Sequence, residues 1–351
     1  MQYVRLGHSG LKVSRLCLGC LGFGSPDWMP WILDEESSRP VIAAALENGI
    51  NFFDTADMYS LGVGEAVLGR AISDFARRED VVIASKVFFP HYLDPNEGGL
   101  SRKHILKAID RSLKNLGTDY IDLYQIHRFD YDVPIEETLE ALHDVVRAGK
   151  VRYIGASSMS AWQFAKLLAT SEKHGWARFV SMQPQYNLIY REEEREMLPL
   201  CEAEGVGVIP WSPLAGGFLT GRYTREASPD SLRARDNAAL GRDGYSSADY
   251  DVAEALIAVA EQHGVTPAQA ALAWMLTKDA ITAPIVGATS LERLHDALGA
   301  LPLALDADAI AALEAPYRAK RASGHGRVDV NMALSRHRNT LPKLRDPGRA
   351  T

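Results

Sequence analysis

Three cysteines in 351 residues are too few for a disulfide framework, and Cys17, Cys20 and Cys201 cannot all pair with one another. Such sparse usage suits a reducing compartment. Cys17 and Cys20 form a C-x-x-C, but positions three apart on a strand face opposite sides, and no second Cys/His cluster at zinc spacing completes a site. Buried or rim thiols are expected, with no metal. Long apolar runs are missing too: nothing approaches the roughly 20 residues of a membrane span, and the opening MQYVRLGHSGLKVS lacks the apolar centre of a signal peptide. The cytoplasm is the expected compartment. Positive charge is scarce, with 38 Lys and Arg against 45 Asp and Glu, which argues against a protein that grips nucleic acid by neutralising phosphates. No G-x-G-x-x-G follows the first strand candidates, so the usual dinucleotide loop of an open doubly wound sheet is absent.

What the chain does have is apolar material in short pieces. With 46% of its residues hydrophobic, it can build a sizeable core. Runs rich in β-branched residues recur about every 30 residues, at 15–19, 51–56, 81–87, 121–128, 151–158, 179–186, 207–212 and 281–287. Helical patterns lie between them. Ser38-Arg-Pro reads as a helix start with Pro40 in the first turn and Gly49 at the end. Ser160-Ala-Trp-Gln163 and Thr266-Pro-Ala-Gln269 have capping-box spacing, and Ile105, Ile109, Leu113 and Leu116 share one helical face.

Repeated alternation of strand and helix predicts an α/β fold with a parallel sheet, and the count favours closure as a (β/α)8 TIM barrel over an open sheet. A length of 351 residues admits one barrel of about 250 plus extensions. Three segments stand outside the repeat. The first dozen residues alternate as an N-terminal β-hairpin with a turn at His8-Ser9-Gly10, suited to plug the barrel's bottom. Residues 215–250 read as a long polar loop after strand seven. Residues 323–351, with six Lys or Arg against two Asp, read as a loop-like C-terminal extension, either covering the active site or partly disordered. A single barrel domain over 1–322 plus this tail is the expected division.

Chemistry gathers where the strands end. Asp54 ends the second barrel strand, Tyr59 follows in the next loop, Lys86 ends the third strand and His127 the fourth. Side chains at the carboxyl ends of barrel strands converge on one mouth, where barrel enzymes place their sites. Singly, the Asp reads as a cap, the Tyr as packing and the His as a satisfied polar group. Lys86, directly after Ile83-Ala84-Ser85, resists the bland reading because an unpaired lysine facing a core is costly. Jointly, at this topology, the four are candidates for acid/base work.

The stretch Gly49-Ile-Asn-Phe-Phe-Asp54-Thr-Ala-Asp-Met-Tyr59, with Gly64-Glu65 and Leu68-Gly69 after it, resembles the first signature of the aldo-keto reductase superfamily. ASKV around Lys86, LKNLGTDYIDLYQIH ending at His127 and WSPLAGG from Trp211 extend the resemblance over about residues 1–322. It implies an oxidoreductase that interconverts an aldehyde or ketone and its alcohol with NADP(H), and makes Asp54, Tyr59, Lys86 and His127 the catalytic tetrad. Carbonyl reduction suits those groups: the alkoxide that forms must be protonated, and an unperturbed phenol of pKa about 10 donates slowly near neutrality. A neighbouring ammonium, Lys86, lowers that pKa, Asp54 holds the lysine's charge in place, and His127 orients the carbonyl oxygen.

The resemblance also implies a cofactor path. Ser157, Ser158 and Gln183 would bond the nicotinamide carboxamide, with Ser158 standing where the family more often has Asn. Trp211 would stack on the ring. Ser212, Leu214 and Gly216 would follow the pyrophosphate, where glycine admits close backbone approach. Gly287-Ala-Thr-Ser290-Leu-Glu-Arg293-Leu-His-Asp296 puts Ser290 and Arg293 in the first turn of a helix, a natural anion site for the adenosine 2′-phosphate. Gly287 stands where some relatives carry Lys and Ala297 where many carry Asn, which leaves NAD(H) open as a second cofactor. Trp28, Phe88 and Phe129, with Phe23, Trp31, Phe89 and Tyr92, sit in or beside loops expected to line the mouth for an apolar or aromatic small molecule. Two other readings use the same residues: an NADP-binding regulator of the potassium-channel β-subunit type, and a Schiff-base barrel enzyme with Lys86 as nucleophile. Asp54 beside the lysine opposes the second by keeping it protonated.

Overall fold

A computed structural model of the chain describes residues 1–92, 94–239 and 243–327. It opens with an antiparallel hairpin, β1 (Tyr3–Arg5) and β2 (Lys12–Ser14). Eight parallel strands follow: β3 (Cys17–Gly19), β4 (Phe52–Asp54), β5 (Val82–Val87), β6 (Ile121–Ile126), β7 (Val151–Ser157), β8 (Phe179–Gln183), β9 (Gly207–Val208) and β10 (Ile285–Val286). They lie side by side in chain order, with β10 beside β3. The ring closes because Thr282 N and Ile285 N donate to Val208 O at 2.8 Å and Pro210 O at 2.9 Å. The fold is the expected (β/α)8 barrel. β8 and β9 stop short of their predicted ends ahead of Pro184 and Pro210, and β10 begins later than predicted, just after Pro284, because proline has no N–H for the ladder.

Alternation along the strands sorts side chains into two layers. Cys17, Phe52, Val82, Ala84, Leu123 and Ile285 pack inside the barrel, while Leu18, Phe53, Ile83, Tyr124 and Met182 face the surrounding helices. Cys17 and Cys20 accordingly fall in different clusters, and all three cysteines are buried and free. The hairpin plugs the N-terminal end: Leu6 and Val13 are fully buried in the inner layer. Gly7, at φ +57°, is required there, since a Cβ would stand 2.5 Å from Gly205 O and from Gly207 N. A packed bottom leaves the carboxyl ends of the strands as the way in.

Two local readings need correction. The first helix, Glu35–Glu47, begins earlier than Ser38: Asp34 is its cap, accepting from Ser37 N at 2.9 Å, so Pro40 lies inside the helix with its ring on the exposed side. The segment after β9 is more than loop, carrying a 3-10 turn (Ala215–Thr220), a helix (Leu232–Ala239) and the start of a capped helix (Ser247–Gln262). Both predicted capping boxes are present, and Arg102–Leu116 buries Ile105, Ile109 and Leu116. Of the predicted tail, residues 323–327 lie across the rim: Ser323 Oγ meets Gln185 Oε1 at 3.0 Å, His325 Nε2 meets Glu193 Oε1 at 2.9 Å and Arg327 meets Asp132 at 2.7 Å. Residues 328–351 lie outside the described residues. Among those described, no helix is long and apolar enough to cross a membrane and no His/Cys/Asp/Glu group could hold a metal ion.

Candidate active site

The turn carrying Tyr59 is strained and braced. After Asp54, the last residue of β4, Ser60 and Leu61 take left-handed φ values of 49° and 54°. Consecutive non-glycine residues in that region are uncommon and cluster at functional sites. Packing holds them: a side chain at Gly64 would stand 3.0 Å from Phe23 O and 3.2 Å from Tyr59 O. Glu65, fully buried, accepts from Ser85 Oγ at 2.6 Å and Asn115 Nδ2 at 3.0 Å. Gly64-Glu65 therefore fastens the turn and the next helix, Val63–Phe75, to the back of β5.

The four predicted residues meet. Lys86 Nζ donates to Asp54 Oδ2 at 2.6 Å and Thr55 O at 2.8 Å, and lies 3.2 Å from Tyr59 OH. The His127 ring stands edge-on to Tyr59, centroids 6.0 Å apart. Burial would lower the Lys86 pKa, but Asp54 and Tyr59 outweigh it and hold the ammonium above its ordinary value. Burial, with Lys86 adding to it, pushes His127 well below the imidazole range, so its ring is neutral; its Nδ1 is buried with no partner among the described residues. For Tyr59 the balance differs from expectation: burial raises the phenol, and Lys86 only partly offsets it.

One residue the sequence reading missed completes this core. Gln125, fully buried on β6, donates to Asp54 Oδ1 at 3.0 Å, and Gln183 donates to the same oxygen at 2.8 Å. Its signal was present, since Gln125 is two residues before His127 and shares its inward face.

Around this core the remaining predicted residues fall into place unevenly. Ser157 Oγ donates to Gln183 O at 2.8 Å and lies 3.1 Å from Ser158 Oγ, which accepts from Trp211 Nε1 at 3.1 Å. Trp211 is half-buried, its indole thus tied in place. Ser158, Ser212 and Ala215 all have positive φ, followed by Gly216 at 67° and Gly217 at 104°. Leu214 packs partly buried between the core clusters. Ser290 caps the helix Leu291–Leu298, and Arg293 is exposed beside it with Nη1 on Thr289 Oγ1 at 2.5 Å. Gly287 is exposed, with nothing within 4 Å of where a Cβ would stand. Asp296 lies a turn further on, its carboxylate accepting from Thr266 Oγ1 at 2.7 Å.

The aromatic candidates separate. Trp28 lies 6.5 Å from the Tyr59 ring, and Phe89 lies 5.0 Å from His127. Phe88 is buried in the outer core, and Phe129 packs against Tyr131 and Trp162. Over the mouth, Trp31 Nε1 donates to Asp236 Oδ2 at 3.0 Å, joining the loop after β3 to the insertion after β9.

A closed barrel whose mouth holds a charged, buried lysine between a carboxylate and a tyrosine defines a barrel enzyme. The chain belongs to the aldo/keto reductase family, whose model matches residues 15–318, and is an oxidoreductase. Over 338 residues it is 44% identical to versiconal hemiacetal acetate reductase of Aspergillus parasiticus, covering 90% of this chain and 97% of that one. It is also 44% identical to an aldo-keto reductase of Metarhizium robertsii (93% of each chain) and 42% identical to one of Alternaria alternata (92% of this chain, 93% of that one). The family acts on small-molecule carbonyl and alcohol substrates with nicotinamide cofactors.

Proposed function

We propose that the chain is an NADP(H)-dependent reductase interconverting an aldehyde or ketone and the corresponding alcohol, with Tyr59 as the acid/base. The observation that carries this is Tyr59 OH at 3.2 Å from an ammonium that Asp54 keeps charged. The nicotinamide, when bound, supplies or takes up hydride. Tyr59 gives its proton to the carbonyl oxygen, and Lys86 stabilises the tyrosinate left behind. Neutral His127, its ring edge-on to Tyr59, orients the same oxygen.

The mouth fits such a cofactor. Gln183, Ser157 and Ser158 would hold its carboxamide, and the tied indole of Trp211 its ring face. Ser212 and Gly216 have left-handed backbone, as do Ala215 and Gly217, and with Leu214 between them they form an irregular turn of the kind that cradles phosphates. Ser290, Arg293 and the open ground beside Gly287 favour a 2′-phosphate, and so NADP(H) over NAD(H). Asp296 would lie at the edge of this site. Trp28 and Phe89 support an apolar substrate face, and a relative named for a hemiacetal acetate supports a carbonyl that can be masked as a hemiacetal. Buried free thiols suit the cytoplasm. The Schiff-base alternative is disfavoured because Lys86 Nζ already serves three acceptors and is held protonated.

Tyr59→Phe is the test. It should slow reduction of a good carbonyl substrate by a factor of about 100 to 10,000 while NADPH affinity stays within a few-fold. A variant as fast as the parent, with a deuteride isotope effect showing chemistry to be rate-limiting, removes Tyr59 from the role. A regulator of the channel β-subunit type would keep its binding function in this variant.

A further inference from the structure

We infer that Gln125 is a positioning residue that sets which end of the Gln183 amide faces the cofactor, so that the site presents an acceptor to a carboxamide N–H. This rests on the reading of Gln183 as the carboxamide contact.

A primary amide has two N–H donors and one oxygen. Gln183 Nε2 donates to Asp54 Oδ1 at 2.8 Å and to Gln125 Oε1 at 3.2 Å, so both donors are spent within the barrel. Gln125 in turn gives its own N–H to Asp54 Oδ1 at 3.0 Å. The three side chains close a triangle of three hydrogen bonds, in which both N–H groups of Gln183 and one of Gln125 have an acceptor. Turning the Gln183 amide over would set its oxygen against a carboxylate oxygen and against Gln125 Oε1, two acceptor pairs without a proton between them. Burial makes such contacts costly, and Asp54, Gln125 and Gln183 are at most 3% exposed. The amide is thereby held with Oε1 directed away from Asp54 and Gln125.

Space for this arrangement comes from β7. Gly155 is level with Gln125 in the sheet, and a Cβ there would stand 2.9 Å from Gln125 Cγ. The missing side chain lets Gln125 lie across the barrel. Among the described residues Gln125 hydrogen-bonds Gln183 and Asp54, and of these Gln183 is the one read as a carboxamide contact, so an effect on carboxamide preference passes through that amide.

The test compares affinity, by tryptophan fluorescence and calorimetry, for NADPH and for its analogue with an acetyl group in place of the ring carboxamide. The acetyl keeps an oxygen and has no N–H. The parent protein should prefer NADPH by about ten-fold, the scale of one buried hydrogen bond. Gln125→Met, isosteric but without polar ends, should shrink that preference to within about two- to three-fold. If Gln125→Met fails to fold, Gln125→Asn, one methylene too short for both partners, should show the same loss. Gln183→Ala should abolish the preference. A preference that survives Gln183→Ala removes Gln183 as the carboxamide contact and the cofactor reading with it. One that disappears in Gln183→Ala but persists in Gln125→Met or Gln125→Asn overturns the role given to Gln125 alone.

Discussion

Lys86 Nζ stands 2.6 Å from Asp54 Oδ2, the lysine side chain wholly and the aspartate almost wholly removed from solvent. The sheet register explains the meeting: Asp54 pairs with Ala84, so Lys86, two residues on, rises on the same inward face. A buried pair of this kind need not add net stability, but separating it is expensive because each partner has lost its water.

Asp54→Leu should therefore cost about 3–5 kcal/mol, since it leaves a buried ammonium without a counter-charge. It also strips Gln125 and Gln183 of a shared acceptor. Adding Lys86→Met should recover much of the stability in urea unfolding, with reduction still lost. A double variant no more stable than Asp54→Leu would show that the charge of Lys86 is not what destabilises the single variant.

His104 predicts a pH dependence unrelated to catalysis. Burial lowers its pKa to about 4, and its Nδ1 accepts from Gly98 N at 3.1 Å, leaving no room for a second proton. The folded value lies below the unfolded 6.5, so its contribution is present above pH 6.5 and lost as pH falls toward 4. Relative to the parent, His104→Gln should gain ~1.4 kcal/mol per pH unit across that window. Asp57 and Glu65, both pushed upward by burial, titrate in both proteins and cancel in the comparison. A stability difference constant from pH 7 to 4 would contradict the assignment.

Arg293 is exposed beside the cap of the helix Leu291–Leu298, with Nη1 on Thr289 Oγ1 and no ion pair to a carboxylate among the described residues, so its charge is open to a ligand phosphate. Arg293→Ala should weaken NADPH binding about ten-fold or more and leave NADH nearly unchanged. Equal losses for both cofactors would move the 2′-phosphate elsewhere.

The Trp31 to Asp236 bond ties two loops across the mouth, and Arg233 stacks 3.9 Å from the same indole. Trp31→Phe keeps the ring and removes the donor. Stopped-flow measurements should show NADPH leaving about five-fold faster, the scale of one half-buried hydrogen bond, with little change in association. Unaltered dissociation would make the contact merely structural.

Local pattern was enough for much of this protein. Short apolar runs recurring about every 30 residues, with turn and capping signals between them, spaced the strands for a barrel. That Asp54, Tyr59, Lys86 and His127 meet was legible because each sits at or just beyond a strand end, a position that sequence order alone defines. The ends of β8 and β9 before Pro184 and Pro210, and the start of β10 after Pro284, were readable in principle, since a missing N–H is a local property.

Contacts between distant parts of the chain were not readable. Whether Phe88 or Phe89 turns toward His127 depends on the path of the chain past β5, where alternation stops. Gln125 joins Asp54 and Gln183 only because the closed ring sets β4, β6 and β8 facing one interior, and Trp31 meets Asp236 from 205 residues away. The sequence by itself determined the periodicities, and with them the fold and the residues at the strand ends. Only the tertiary structure decided which inward residues touch, because ring closure and strand twist set distances between segments that no local period encodes.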